Sequence, residues 1–434
     1  MSLPRFPDGF LFGCSTASYQ IEGAVNEDGR GPSIWDTFAH TPGKTLDGDT
    51  GDVACDHYHR YGEDVALLAE LGVGAYRFSI AWPRVQPTGA GEPNKAGLDF
   101  YDRLVDALLE RGITPLPTLF HWDLPQALED QGGWLARDTS SRFADYTAHV
   151  AARLGDRVRR WITLNEPVVH MAQGYAYGTH APGRTLLLEA LPVAHHQLLG
   201  HGLAVRALRA AGATEVMLTN NCTPVRAADD TPAASVYDAF HNRLFNDPVL
   251  LGTYPEFLGA ALDGVVHEGD LEIIRTPIDA LGINYYNPTL VGAPAGESPL
   301  PFDLRPIEDV PTTAFGWPVV PSGLTELLTG LRDTYGDALP PIYITENGCS
   351  TTEGTDDPFR RDYLDTHLRA LHDAITAGVD VRGYFVWSLL DNFEWAEGYS
   401  QRFGLVHVDF DTLARTPRAS YHWLRSVIQE NSAL

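Results

Sequence analysis

Apolar residues along this 434-residue chain follow two alternating spacings. Short runs rich in β-branched and aromatic residues recur, and each is followed by a stretch with apolar residues three to four apart. The runs are FLFGCSTA (10–17), AYRFSIAW (75–82), TPLPTLFHW (114–122), VRRWITLN (158–165), EVMLTNN (215–221), IDALGINYY (278–286), PIYITEN (341–347) and VRGYFVWSLL (381–390). They read as eight strands. The intervening stretches read as helices. From Tyr61 to Leu71, Val65, Leu68, Ala69 and Leu71 share one face; Leu98, Tyr101, Leu104, Val105, Leu108 and Leu109 do the same in the next stretch. Further helices are predicted to start near Thr139, Leu186, Ala234, Ser322, Arg360 and Arg418, and Gly72, Gly112 and Gly378 supply stop signals after three helical stretches.

Strands alternating with helices predict an α/β protein with a parallel sheet, and eight repeats predict a closed (β/α)8 TIM barrel. The expected organisation is a single domain over residues 1–434, with long βα loops at 29–56, 167–184 and 287–321. A doubly wound open sheet would need a glycine-rich phosphate turn, and Gly72-Val73-Gly74-Ala75-Tyr76-Arg77 breaks at the third glycine.

The polar positions sharpen this picture. In a barrel, reactive side chains come from the C-terminal ends of strands. Those ends carry Arg77, Ser79 and Trp82; His121, Trp122 and Asp123; Asn165 and Glu166; Asn284 and Tyr286; Glu346 and Asn347; and Trp387, which leads into DNFEWAEGY (391–399). Asn347-Gly348 is a hairpin-turn signal. The polar stretch CSTTEGTDDPFRRD that contains Cys349 does not supply a returning strand, so Glu346 is predicted to face the barrel mouth. Glu166 and Glu346 stand far apart in sequence, and only the fold can join them. Two carboxyls among tryptophans and amides suit acetal cleavage: one carboxyl protonates the leaving oxygen and the other serves the anomeric carbon. Indole faces stack on sugar rings, and amides satisfy hydroxyls. Singly, each of these residues has a plain structural explanation: Glu166 before Pro167 as a helix start, the tryptophans as core, His121 as a satisfied histidine. Their coincidence at strand ends favours function.

Other chemistries fit less well. The formal charge of −26 disfavours a nucleic-acid partner and reads as a solvated acidic surface. Cys14, Cys55, Cys222 and Cys349 form no C-x-x-C pair and read as reduced thiols. His57 and His59, and His195 and His196, lack a third ligand at useful spacing, so no metal or other cofactor is expected. Gly13-Cys14-Ser15-Thr16-Ala17 lacks the final glycine of a nucleophile elbow. There is no secretion-type apolar segment and no apolar run long enough to span a membrane, so a cytoplasmic protein with no membrane partner is expected. A homo-oligomer is compatible with the sequence.

At this point the chain resembles the glycoside hydrolase family 1 β-glucosidases over nearly its whole length. FPDGFLFGCSTASYQIEGAVNEDGRGPSIWDTF (6–38), FHWDLPQAL (120–128), TLNEP (163–167), GINYY (282–286), YITENG (343–348) and WSLLDNFEWAEGYSQRFGL (387–405) follow in the family's order. The resemblance implies a retaining β-glycosidase acting on β-glucosides or short cello-oligosaccharides, with galactosides and fucosides as further substrates. It implies Glu346 as nucleophile and Glu166 as acid/base. Asn165 would hold the sugar 2-hydroxyl. Gln20 and His121, with Trp122 beside them, would take hydroxyls further round the ring. Glu394 and Trp395 would bind its far side over a floor formed by Trp387. Tyr286 and Arg77 would attend Glu346, Asn284 would support the site, and Trp317 would line the entrance. The retained Glu166 favours O-glycosides, and the retained Glu394 disfavours 6-phosphosugars. Val168 stands where the family often carries a large aromatic, which weakens stacking on the leaving group. A transglycosidase and an inactive sugar-binding barrel are the alternative readings.

Overall fold

The computed structural model describes residues 3–432. Eight parallel strands close a barrel in chain order: β1 Leu11–Ser15, β2 Ala75–Ser79, β3 Thr114–Phe120, β4 Arg160–Asn165, β5 Glu215–Asn221, β6 Ala280–Asn284, β7 Ile342–Asn347 and β8 Val381–Trp387. Closure is direct, with Leu11 of β1 beside Gly383 of β8 and Gly13 beside Ala75 of β2. Every strand predicted from the hydrophobic pattern is present.

The barrel interior is built from the pleat. Leu11, Ala75, Leu116, Ile162, Met217, Ala280, Tyr343 and Phe385 meet in one apolar cluster, one from each strand. Large and small residues have to alternate in so tight a ring. The cost of a misplaced methyl is visible at Gly13, where a Cβ would lie 2.3 Å from the Phe385 ring. This apolar plug seals the lower end and leaves the strand C-termini as the open face.

Long helices cover the outside: His57–Leu71, Lys95–Glu110, Asp138–Leu154, Leu191–Ala210, Ser322–Tyr335, Pro358–Thr376 and Ala419–Ser432. A composite helical segment, Ala233–Leu250, follows β5. Most of each predicted stripe points inward: Val65, Leu68 and Leu71 are buried on one helix, and Leu98, Tyr101, Leu104, Val105 and Leu108 on the next, whereas Ala69 is half-buried and Leu109, at the helix end, is exposed. Each such side chain contributes about 1.5–3 kcal/mol of burial. The helix expected near Leu186 begins at Leu191, after a 3-10 turn at Leu187–Ala190.

The loops hold more structure than their composition suggests. Segment 29–56 contains the helix Ile34–Ala39, started by a capping box between Ser33 and Asp36. Segment 167–184 is helical from Pro167 to Ala176. Segment 287–321 supplies Thr289–Gly292 and Asp303–Arg305, which join Val225–Ala227 in a small sheet beside the mouth. The loop after β8 is tied down by Asp391. Its carboxylate accepts from Arg418 Nη1 at 2.8 Å and Nη2 at 2.9 Å and from the Gly404 amide at 3.0 Å. Hydrogen bonds from His407 Nδ1, at 3.1 Å, and from Arg418 hold the Asp391 carboxyl at about 2 against its burial, and the whole set fixes the turn that presents Glu394 and Trp395.

Candidate active site

Arg77 lies one pleat above Ala75 on β2 and is 1% exposed. Its guanidinium is the hub of the open end. Nη1 donates to Glu346 Oε1 at 2.6 Å and to the Thr345 carbonyl at 3.1 Å, Nη2 to Asn165 Oδ1 at 2.6 Å, and Nε to Thr118 Oγ1 at 3.2 Å. One side chain therefore joins β2, β3, β4 and β7. Glu346 Oε2 accepts from the Tyr286 hydroxyl at 2.8 Å. Burial raises the Glu346 carboxyl above its ordinary value, and the adjacent Arg77 charge is the main opposing pull.

Glu166 follows β4 in a left-handed conformation, φ 45° and ψ 59°, and Pro167 starts the next helix. Such a backbone is unfavourable for a residue with a Cβ, and it persists only where the surroundings enforce it. Trp122 and Trp395, which meet with ring centroids 4.6 Å apart, also have positive φ, 77° and 54°. Glu166 Oε1 accepts from Asn284 Nδ2 at 2.8 Å and from Asn221 Nδ2 at 3.0 Å. No cation pairs with it among the described residues. Burial, and then the Glu346 charge, push the Glu166 carboxyl up to about 8, against the pull of the two amides. Glu394 is pushed to about 8 by the same two causes, in the same order. Three carboxyls thus share one mouth with one arginine. Electrostatics permits one of them to ionise readily, and that one is Glu346, which holds the arginine.

The rest of the site is an ordered polar ring. Asn165 Oδ1 accepts from Arg77 and from Asn284 Nδ2 at 3.0 Å, while Asn165 Nδ2 donates to His121 Nε2 at 3.0 Å. Burial and the Arg77 charge keep His121 neutral, so its proton sits on Nδ1. His121 Nδ1 and Gln20 Oε1 are buried and have no hydrogen-bond partner among the described residues. They form a donor and an acceptor suited to hydroxyl groups. Gln20 Nε2 is held by Asn392 Oδ1 at 3.0 Å, the Phe393 carbonyl at 2.9 Å and Glu394 Oε2 at 3.3 Å.

These groups surround a cavity of about 410 Å3 lined by His121, Trp122, Glu166, Tyr286, Trp317, Glu346, Trp387, Glu394 and Trp395. Of the residues singled out from sequence, Arg77, Asn165, Asn284 and Gln20 stand behind this surface and orient it. Trp387 packs with Phe403 at the base, and Trp317 stacks on Phe315, ring centroids 4.5 Å apart, at the rim. Sequence reasoning missed Asn221, Gln173, His180, Phe315 and Phe403, which also line the cavity. Asn221 was accessible to the strand-end rule, since it closes β5. Gln173 lies on the helical turn after Glu166, and His180, Phe315 and Phe403 lie on loops without a periodic signal. Among the described residues no group of three His, Cys, Asp or Glu is arranged to hold a metal, and no helix is long and apolar enough to cross a membrane.

An eight-stranded barrel whose mouth gathers buried carboxyls, amides and indoles defines a carbohydrate-active protein by chemistry. Comparison with known proteins gives the particular family. Residues 3–433 match the family model described as glycosyl hydrolase family 1, and the chain belongs to that family. It is 53% identical to the thermostable beta-glucosidase B of Thermobispora bispora, over 98% of this chain and 91% of that one. It is 47% identical to a bifunctional beta-D-glucosidase/beta-D-fucosidase of Bifidobacterium breve, over 99% of each. The crystal structure of the psychrophilic beta-glucosidase BglU from Micrococcus antarcticus superposes with a TM-score of 0.95 at 47% identity, covering 99% of this chain and 98% of that one.

Proposed function

We propose that this protein is a retaining β-glycosidase that removes terminal β-D-glucosyl residues from β-glucosides and short cello-oligosaccharides, with β-fucosides and β-galactosides as further substrates. The observation that carries this reading is the asymmetry of the two carboxyls. Glu346 is paired with Arg77 and Tyr286, whereas Glu166 is buried with amide partners only, and burial and the Glu346 charge push it up to about 8. One is suited to be ionised and the other protonated at neutral pH, as the two steps require.

In the first step the Glu346 carboxylate attacks the anomeric carbon. The bond from that carbon to the leaving oxygen breaks, and Glu166 gives its proton to that oxygen. The glycosyl group is then an ester of Glu346. In the second step Glu166, now a carboxylate, takes a proton from water. The hydroxide oxygen bonds to the anomeric carbon, and Glu346 leaves as carboxylate with its charge returned to Arg77. Two inversions give net retention. The His121 Nδ1 proton, on a ring held by Asn165, serves a sugar hydroxyl, and Trp387 and Trp395 offer ring faces to the pyranose.

The relatives' activities support a glucosidase with fucosidase capacity. The test is steady-state hydrolysis of a panel of 4-nitrophenyl β-glycosides and cello-oligosaccharides. The β-glucoside should rank first or equal with the β-fucoside, and α-glucosides should be inert. No turnover of any β-glycoside at saturating concentration would leave only a sugar-binding barrel. Product analysis with added alcohols separates hydrolysis from glycosyl transfer.

A further inference from the structure

Behind the helical segment Pro167–Ala176, which follows Glu166, lies a second cavity of about 340 Å3. That volume is within the range of about 300–1,000 Å3 typical of small-molecule sites. Its wall is largely apolar, drawn from the helical stretch around Met171 and Ala176, from Leu187, Leu188 and Leu191, from Phe240, and from Leu300, Phe302 and Leu304. The exposed large apolar residues of the described chain are nine, and Tyr177, Leu187, Leu188 and Leu304 among them all line this one chamber. Leu304 is 57% exposed and Leu188 46%. Scattered exposed leucines need no explanation, but a gathered set around a concavity marks a binding surface.

Two features join the chamber to the catalytic cavity. Val169 and Gln173 line both. Two of the chamber's polar residues are also wired to Glu166. Asn221 Nδ2 donates to Glu166, so Asn221 Oδ1 accepts from His241 Nε2 at 3.2 Å. His241 Nδ1 then accepts from the Tyr237 hydroxyl at 3.2 Å. Burial keeps His241 neutral, with a value of about 4, consistent with that single tautomer. Tyr237 and His241 thus turn their polar atoms to each other and to Asn221, while their rings wall the chamber.

We propose that the chamber receives the apolar tail of a β-glucoside aglycone, an alkyl or similar uncharged hydrocarbon group that passes over the Val169 and Gln173 rim. This rests on the β-glucosidase reading and narrows its substrate class. An apolar tail is favoured over a sugar chain because the wall offers hydrocarbon and few free donors.

The test is kcat/KM for methyl, butyl, hexyl and octyl β-glucosides, each below its micelle concentration, on the wild type and on L188E/L304E. Both substitutions fall at exposed positions away from the cavity that holds Glu346. In the wild type kcat/KM should rise about two- to fourfold per added methylene beyond butyl. In the variant that rise should flatten, with methyl and 4-nitrophenyl β-glucoside turnover unchanged. A flat wild-type series overturns the proposal, and so does a rise that persists in the variant. A variant that changes the oligomeric state by gel filtration, with the series unaltered, identifies the patch as an interface between copies and also overturns it. Loss of turnover on every β-glucoside in the wild type would instead defeat the β-glucosidase reading itself.

Discussion

Arg77 Nη1 lies 2.6 Å from Glu346 Oε1, and the two side chains are 1% and 5% exposed. The same guanidinium holds Asn165 and the Thr345 carbonyl. A planar fork meets all three partners at once, which a lysine ammonium cannot do. Arg77→Lys should therefore lower kcat by about 10²-fold or more through misplacement of the nucleophile. It should also move the acid limb of the kcat/KM profile to higher pH, because the pull that opposes burial at Glu346 weakens. An unchanged acid limb would contradict the assigned pairing.

Glu346→Ala should reduce turnover of aryl β-glucosides by about 10⁴-fold or more. Azide fits the space of the lost carboxylate and attacks from the same side, so it should restore turnover and yield an α-glycosyl azide. Near-normal hydrolysis by the variant would sink the assignment.

The wild-type pH dependence follows from the two carboxyls. Catalysis needs Glu346 ionised, so activity falls as pH drops through its raised value. It needs Glu166 protonated, so activity falls again as pH rises through about 8. Asn221→Ala removes a donor that lowers Glu166, and the basic limb should move up. Glu166→Ala should lose the basic limb. It should also spare the first step for dinitrophenyl leaving groups while slowing alkyl glucosides by about 10³-fold or more. Equal loss on good and poor leaving groups would contradict the acid role.

Asp391 gives a prediction about stability. Its folded carboxyl is held at about 2 against an ordinary 3.8. A depressed carboxyl contributes stability that is present above its unfolded value and lost as pH falls toward its folded one. The contribution is about 2 kcal/mol at neutral pH, and it fades between roughly pH 4 and pH 2. Asp391→Asn leaves the buried Arg418 charge short of its partner and should cost about 3–5 kcal/mol by urea denaturation at pH 7. The gap from wild type should narrow below pH 4. A gap independent of pH would show that the lost hydrogen-bond geometry, not the charge, dominates.

These tests also show which parts of the molecule were legible in the sequence. The barrel was, because its signals are local: an inward-facing apolar residue on each strand and a stripe on each covering helix need only periodicity. Glu166, Glu346 and Asn284 were legible as strand-end polar residues, and family resemblance supplied Gln20 and Glu394. What was not legible depends on contacts remote in sequence. Asp391 and Arg418 are 27 residues apart and look like ordinary surface charges until the last helix docks. The Tyr237–His241–Asn221 chain crosses from a helix to a strand end with no motif. The small sheet beside the mouth forms from segments separated by proline and glycine, where propensity predicts only loop.

The whole mechanism turns on Glu346 forming the covalent intermediate. The direct measurement is mass spectrometry of peptides after inactivation with 2,4-dinitrophenyl 2-deoxy-2-fluoro-β-glucoside, which slows release of the ester more than its formation. One 2-fluoroglucosyl group per chain is expected, on the carboxyl of Glu346 within IYITENG. A label on Glu166 or Glu394, or turnover with no covalent label, would contradict it.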